Sequence, residues 1–124
     1  VEKTLSFSEY EVQQFAKLTN DYAPIHHDAS YARRLGYSGS IVFGHLAVAP
    51  FSGMIGEFPG LDWVMLRHNF QFRKPIYLDQ EMTYVCDVVR VRACLRIIEL
   101  DLCIKGESGV SITGGCQCQK MVEN

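Results

Sequence analysis

The sequence predicts a single α+β domain in which a long antiparallel sheet curls around one apolar helix. Residues 44–56, GHLAVAPFSGMIG, are apolar on nearly every side, so a helix there must be buried. From Trp63 onward the apolar pattern has a period of two, in long segments joined by short connections, which is typical of antiparallel strands. A chain of 124 residues with 48 % hydrophobic residues suits one domain with a substantial core.

Composition excludes several classes of partner. The formal net charge is -2 and the basic residues are scattered, so no nucleic-acid partner is expected. No apolar run approaches the roughly 20 residues that span a bilayer, and no basic-then-apolar leader is present, so no membrane association is expected. The 5 cysteines are odd in number and lack CxxC spacing. They predict free, mostly buried thiols in a reducing compartment, here the cytoplasm, and no metal site.

The first third of the chain carries two helix-start signals. A short strand is expected at Thr4–Phe7, and Ser8 with Glu11 forms an S-x-x-E capping box for a helix that runs to about residue 19. Asp28 is positioned to cap a second helix that stops at Gly36. Capping is a better explanation of Asp28 than catalysis because its position fits an N-cap so well.

Pro50 and the alternation of apolar and polar residues predict the remaining elements. Pro50 lacks an N–H for the carbonyl of Leu46, so the apolar helix should kink or start late. The first long strand is expected to bury Val64, Leu66, Phe70 and Phe72, with His68 on the same face as a core histidine. Further strands are expected at Met82–Val91, Leu95–Lys105 and Val110–Val122.

The connection between the two helices, NDYAPIHHDAS, crowds two acids and two histidines into eleven residues. Together with GYSGSIVFGH and FRKPIYLDQE it resembles the motifs of the MaoC-like dehydratases, whose type members are (R)-specific enoyl-CoA hydratases. The matching residues are Asp21, Pro24, Ile25, His26 and Asp28 in the loop, and Ile41, Val42 and Gly44 before the apolar helix. The resemblance covers nearly the whole chain and implies the hot-dog fold, usually paired into a homodimer.

The resemblance also implies a reaction, the reversible hydration of trans-2-enoyl thioesters to (R)-3-hydroxyacyl thioesters. Such chemistry needs an acid–base pair for water and the α-carbon, and donors for the charge that develops on the thioester oxygen. By resemblance Asp21 and His26 hold the attacking water, the N–H of Gly44 serves as the oxyanion hole, and Ser52 lines the substrate pocket.

The expected substrate is an acyl thioester carried by coenzyme A or by an acyl carrier protein. No metal or redox cofactor is implied, because the thioester activates its own α-carbon. The phosphates of the pantetheine carrier favour basic residues at the mouth of the pocket. Arg33, Arg34, Arg67 and Arg73 are the candidates.

Three departures from the family pattern leave alternatives open. Ala23 replaces an Asn, Phe43 replaces a His while His45 follows Gly44, and Asp79-Gln80 stands where Gly-Asp is usual. The first two could change the carrier, the chain length or the activity. A hot-dog thioesterase and a non-catalytic acyl-binding module are the other hypotheses. Ser52 with His26 as nucleophile and base is less favoured, because no Gly-x-Ser-x-Gly elbow surrounds the serine.

Overall fold

The computed structural model describes residues 1–124 and confirms the α+β class. A five-stranded antiparallel sheet has the order β1-β3-β4-β5-β2 and packs against a short pair of helices. The strands are β1 (Glu2–Leu5), β2 (Trp63–Phe72), β3 (Met82–Arg92), β4 (Ile97–Gly106) and β5 (Gly109–Lys120); the helices are α1 (Glu9–Thr19), α2 (Ala29–Arg34), α3 (Gly44–Val48) and α4 (Pro50–Glu57). No helix combines the length and the apolar character needed to cross a bilayer.

Both predicted N-caps are present. The Ser8 side chain accepts the N–H of Glu11, and the Glu11 carboxylate accepts the N–H of Ser8, which completes the capping box of α1. Asp28 Oδ1 accepts the N–H of Tyr31 at 3.1 Å and caps α2. The strand before α1 was predicted two residues too late, since β1 pairs with β3 from Glu2 to Leu5.

Pro50 divides the apolar segment into two helices, as predicted. Helix α3 ends at Val48, and α4 begins at Pro50 itself, where a missing N–H costs nothing. The N–H of Ala49 lies 3.2 Å from the carbonyl oxygen of His45 and 3.3 Å from that of Leu46. Leu46 therefore keeps a partner although Pro50 cannot supply one.

The helix pair is buried only on the side that faces the sheet. Ala47, Phe51, Met54 and Ile55 are at most 4 % exposed and belong to the main core cluster. The opposite side, formed by His45, Ala49, Ser52 and Gly53, is exposed on a single chain. The predicted burial on nearly every side is therefore confirmed for the half that faces the sheet and is wrong for the opposite half.

The predicted buried face of β2 is wrong at its start because the strand contains an irregularity. Its register against β5 shifts between Met65 and Arg67, and an extra residue at such a point reverses the alternation of side chains. Trp63, Met65 and Phe70 pack against the core, whereas Val64 and Leu66 are exposed. The prediction is also wrong for Phe72 at the end of the strand, which is 56 % exposed. His68, predicted to be a core histidine, is also exposed.

The five cysteines are free thiols, and three of them are buried. Cys86, Cys116 and Cys118 lie in the core cluster, with 3.9 Å between the Sγ atoms of Cys116 and Cys118. Burial raises the pKa of all three thiols, so they stay protonated and act as small apolar side chains. Cys94 is the exposed exception.

A buried tyrosine ties the helix pair to the sheet. Tyr84 on β3 is 0 % exposed, and its ring packs at a tilt against Phe51 of α4 with 5.2 Å between ring centroids. Its hydroxyl donates a hydrogen bond to the carbonyl oxygen of Ala47 in α3. Burial raises the pKa of the Tyr84 phenol, which keeps the hydroxyl available as a donor. The single bond therefore fixes α3, and with it Gly44, against the centre of the sheet.

We predict that Tyr84→Phe lowers the free energy of unfolding by about 1 kcal/mol, since it removes this buried donor and changes little else. Urea denaturation would measure the change. Tyr10→Phe is the matched control, because Tyr10 is 68 % exposed and its hydroxyl has no partner in the protein; it should leave stability unchanged. Equal stability for both variants would contradict the role given to the Tyr84 bond.

Candidate active site

The ring of His26 connects the polar loop to the segment that leads into α3. It ends a 3-10 turn, Pro24–His26, and its Nδ1 lies 2.7 Å from the carbonyl oxygen of Ile41. A carbonyl only accepts, so Nδ1 carries the proton and Nε2 of the neutral ring has a free lone pair. The N–H of Ile41 in turn donates to the carbonyl of Ile25 at 3.1 Å. The imidazole is thus oriented with a proton acceptor at Nε2.

Phe43 supplies the second support of this imidazole. Its ring stacks on His26 with 3.9 Å between centroids and an angle of 28°, and it also packs on Phe15 of α1. Phe43 is 4 % exposed and belongs to the core. The residue that departs from the family pattern therefore fixes the plane of the His26 ring by packing, which needs no hydrogen-bonding side chain.

Gly44 places an unpaired backbone donor beside His26. As the first residue of α3, its N–H has no acceptor in the protein. A Cβ built on Gly44 would lie 2.7 Å from Cε1 of Phe72, so the absent side chain is what allows this ring to lie over the backbone. The position therefore combines a free N–H with the aromatic ring of Phe72 packed close to its Cα.

His26 and Gly44 line one open cavity of about 300 Å³. Hydrophobic side chains make up much of its wall, and Tyr37, Phe72, Arg73 and Lys74 also contribute. No aspartate or glutamate lines the cavity. A proton acceptor and an oxyanion donor in one largely apolar cavity suit acid–base chemistry next to a carbonyl group.

Asp21 lies in the same loop but is not among the residues that line this cavity. It is exposed, and its Oδ1 accepts the N–H of Ala23 at 3.1 Å, which closes a local turn. Its Oδ2 has no partner in the protein. The structure thus brings His26 and Gly44 into one cavity and leaves Asp21 outside its lining, with one carboxylate oxygen free.

Ser52 lies on a different cavity. This second space, of about 570 Å³, lies between the exposed side of the helix pair and β2, and it includes His45, Met65, His68 and Phe70. Ser52 is exposed there. The structure therefore separates Ser52 from the cavity that His26 and Gly44 share.

Several residues of the His26–Gly44 cavity were missed by sequence reasoning. Tyr37, Phe72 and Lys74 gave no signal of a site, and FRKPI was interpreted only as a family turn motif. Arg73 was one of four arginines considered for the pocket mouth, and it is the one that lines this cavity. No group of three or more His, Cys, Asp or Glu residues could hold a metal ion.

Comparison with known proteins places the chain in a family. The family model described as a MaoC-like domain matches residues 1–102. The (R)-specific enoyl-CoA hydratase of Aeromonas caviae is 31 % identical over 110 residues, which cover 87 % of this chain and 82 % of that protein. The chain belongs to the MaoC-like family.

Two further matches agree with this assignment. A mitochondrial 3-hydroxyacyl-[acyl-carrier-protein] dehydratase of Arabidopsis thaliana is 29 % identical over 73 % of this chain, which spans 54 % of that protein. The solved structure of an (R)-hydratase from A. caviae, described as involved in PHA biosynthesis, superposes with a TM-score of 0.91 at 28 % identity, covering 98 % of this MaoC-like chain and 93 % of that one. The predicted hot-dog fold is confirmed. The predicted enzyme class, a lyase, is confirmed by these relatives, because hydratases and dehydratases are lyases.

We predict that Asp28→Ala lowers the free energy of unfolding by about 1 kcal/mol, whereas Asp28→Asn changes it by only a few tenths, because Asn caps helices as well as Asp does. Thermal or urea unfolding of both variants would measure this. A large loss of stability in the Asn variant would mean that the negative charge of Asp28 matters, which the capping explanation does not allow.

Proposed function

We propose that this MaoC-like protein catalyses the reversible hydration of trans-2-enoyl thioesters to (R)-3-hydroxyacyl thioesters. The observation that carries the proposal is the shared cavity of His26 and Gly44, which pairs an oriented imidazole with a free backbone N–H. The names of the A. caviae and Arabidopsis relatives supply the reaction type and the (R) configuration.

In the proposed reaction the thioester oxygen accepts the N–H of Gly44. Nε2 of His26 takes one proton from a water molecule, and the free Oδ2 of Asp21 accepts the hydrogen bond of the other. The water oxygen attacks the β-carbon, and the negative charge passes to the thioester oxygen. The imidazolium is stabilised by the Ile41 carbonyl at Nδ1 and then returns its proton to the α-carbon. One water adds across the double bond, and both side chains recover their starting states.

The proposed carrier of the acyl group is coenzyme A or an acyl carrier protein, as the names of the relatives suggest. Ser52 has no part in the proposed reaction, because the cavity that it lines shares no lining residue with the cavity of His26 and Gly44. We place the protein in the cytoplasm, whose reducing conditions suit five free thiols.

A homodimer belongs to the same proposal. Strand β2 is an edge of the sheet, with Val64 and Leu66 exposed on it, and the side of the helix pair next to it is also exposed. An unpaired edge with apolar side chains is suited to pairing with another strand. A second copy of the chain on this edge would cover both features.

We predict that the purified protein removes the enone-thioester ultraviolet absorbance of crotonyl-CoA and yields a 3-hydroxyacyl product. Asp21→Asn and His26→Gln should each lower the rate by about 10²–10⁴, since each removes a group that handles the proton of water. Asp28→Asn and His27→Gln are matched controls in the same loop; both residues are exposed and lie outside the cavity lining, so their rates should stay near that of the wild type.

Three outcomes would contradict the proposal or part of it. No loss of absorbance with crotonyl-CoA, a longer enoyl-CoA or an enoyl carrier protein would exclude the hydratase. Release of a free thiol would instead indicate a thioesterase. Equal activity of the Asp21 and Asp28 variants would remove Asp21 from the mechanism.

A further inference from the structure

The cavity of His26 and Gly44 has two cations at its rim. Arg73 and Lys74 follow the end of β2, line the cavity and are both exposed. No acidic side chain lines the cavity, so the lining carries an excess of positive charge. Exposed cations beside an otherwise largely apolar opening attract an anionic part of a ligand.

Both cations are held in place without being neutralised. The guanidinium of Arg73 donates to Thr113 Oγ1 at 3.0 Å and to Gln71 Oε1 at 2.6 Å, and Lys74 Nζ donates to the carbonyl oxygen of Ser108 at 2.7 Å. All three acceptors are uncharged. The ion pairs of the chain are Lys3–Glu57, Arg92–Glu99 and Lys120–Asp62, so neither rim cation has a carboxylate within 4 Å.

The backbone fixes the rim as well. The N–H groups of Arg73 and Lys74 both donate to the carbonyl oxygen of Ser111, at 2.8 and 3.1 Å. In the turn that follows, the carbonyl oxygen of Ile76 accepts the N–H of Val42 at 2.8 Å. The rim is therefore tied on one side to β5 and on the other to the segment that leads into Gly44. The cations keep a constant position relative to the proposed oxyanion donor.

We propose that Arg73 and Lys74 bind the phosphate ester at the far end of the pantetheine arm of the substrate. The proposal rests on the proposed function, because it requires that the ligand be a pantetheine thioester. Coenzyme A and acyl carrier proteins both attach pantetheine through a phosphate, so one site serves either carrier. The thioester lies at Gly44, the arm extends out through the opening, and the phosphate meets the two cations outside it. Charge-assisted hydrogen bonds of this kind are stronger than neutral ones.

The two cations are not equivalent. Gln71 and Thr113, which accept hydrogen bonds from the guanidinium of Arg73, border a groove on the sheet that also contains Asp87 and Asp101, and they do not line the His26–Gly44 cavity. The negative charge of those two carboxylates lowers the positive potential that Arg73 contributes at the cavity, although neither carboxylate forms an ion pair with Arg73. Lys74 does not line that groove, so we expect it to contribute at least as much as Arg73 to phosphate binding.

Binding of saturated thioesters, which cannot be hydrated, tests the site independently of turnover. Calorimetry would compare butyryl-pantetheine, butyryl-4′-phosphopantetheine, butyryl-CoA and a butyryl acyl carrier protein. For Arg73→Gln and for Lys74→Gln we expect Kd to rise about tenfold for the three phosphate-bearing ligands and to stay unchanged for butyryl-pantetheine. Added salt should weaken binding of the phosphate-bearing ligands in the wild type and have less effect in the variants.

Arg90→Gln and Lys17→Gln are the matched controls, since both side chains are exposed and neither lines this cavity. They should leave all four Kd values unchanged, and Lys74→Arg should restore binding. An equal rise in Kd for the phosphate-free ligand, or no rise for any ligand, would overturn the proposal. A rise for butyryl-CoA alone would assign the cations to the nucleotide and would equally overturn it.

The result also separates this site from the proposed reaction. Phosphate-dependent binding without turnover of crotonyl-CoA would leave the rim site standing and refute the hydratase. Turnover of crotonyl-CoA with Kd values that do not depend on the phosphate would refute the rim site alone.

Discussion

The burial of the helix pair α3–α4 against the sheet determines where the candidate site lies. The helices pack into the core through Ala47, Phe51 and Met54, and the Tyr84 hydroxyl fixes the α3 backbone at Ala47. Gly44 begins that same helix, so its free N–H is positioned by packing three residues away. Hydrophobic burial of this kind is non-directional. The buried hydrogen bond from Tyr84 to Ala47 fixes the orientation of α3 relative to the sheet. The site therefore depends on a core contact that touches no reacting atom.

The polar loop is coupled to this helix through a few backbone bonds. His26 donates to the Ile41 carbonyl, and the Ile41 N–H donates to Ile25, so the loop and the entrance to α3 move together. Two of the three departures from the family pattern, Phe43 and Ala23, fall at this coupling. Phe43 stacks on His26, and the Ala23 N–H binds the carboxylate of Asp21, so packing and backbone take the place of polar side chains. Asp79 adopts a φ of 60° at the turn where glycine is usual, a conformation that Asp tolerates.

Local signals in the sequence were sufficient for much of this arrangement. The capping box at Ser8, the N-cap at Asp28 and the break at Pro50 depend on neighbours within four residues, so the sequence determines them directly. The irregularity in β2 depends on pairing with β5, which lies some fifty residues further along, and the alternation alone could not reveal it. For the same reason the sequence could not reveal that Lys74 lines the cavity, because this depends on the end of β2 lying near Gly44 in the fold. Family motifs indicated His26 and Gly44, but which groups share a cavity required the fold.

The most direct measurement is a crystal structure of the Asp21→Asn variant with crotonyl-CoA bound. The thioester oxygen is expected about 2.7–3.1 Å from the N of Gly44, with a water at hydrogen-bonding distance from Nε2 of His26 and close to the β-carbon. A thioester bound instead in the cavity of Ser52 and His68, with the Gly44 N–H left uncontacted, would contradict the assignment of the reaction to the His26–Gly44 cavity.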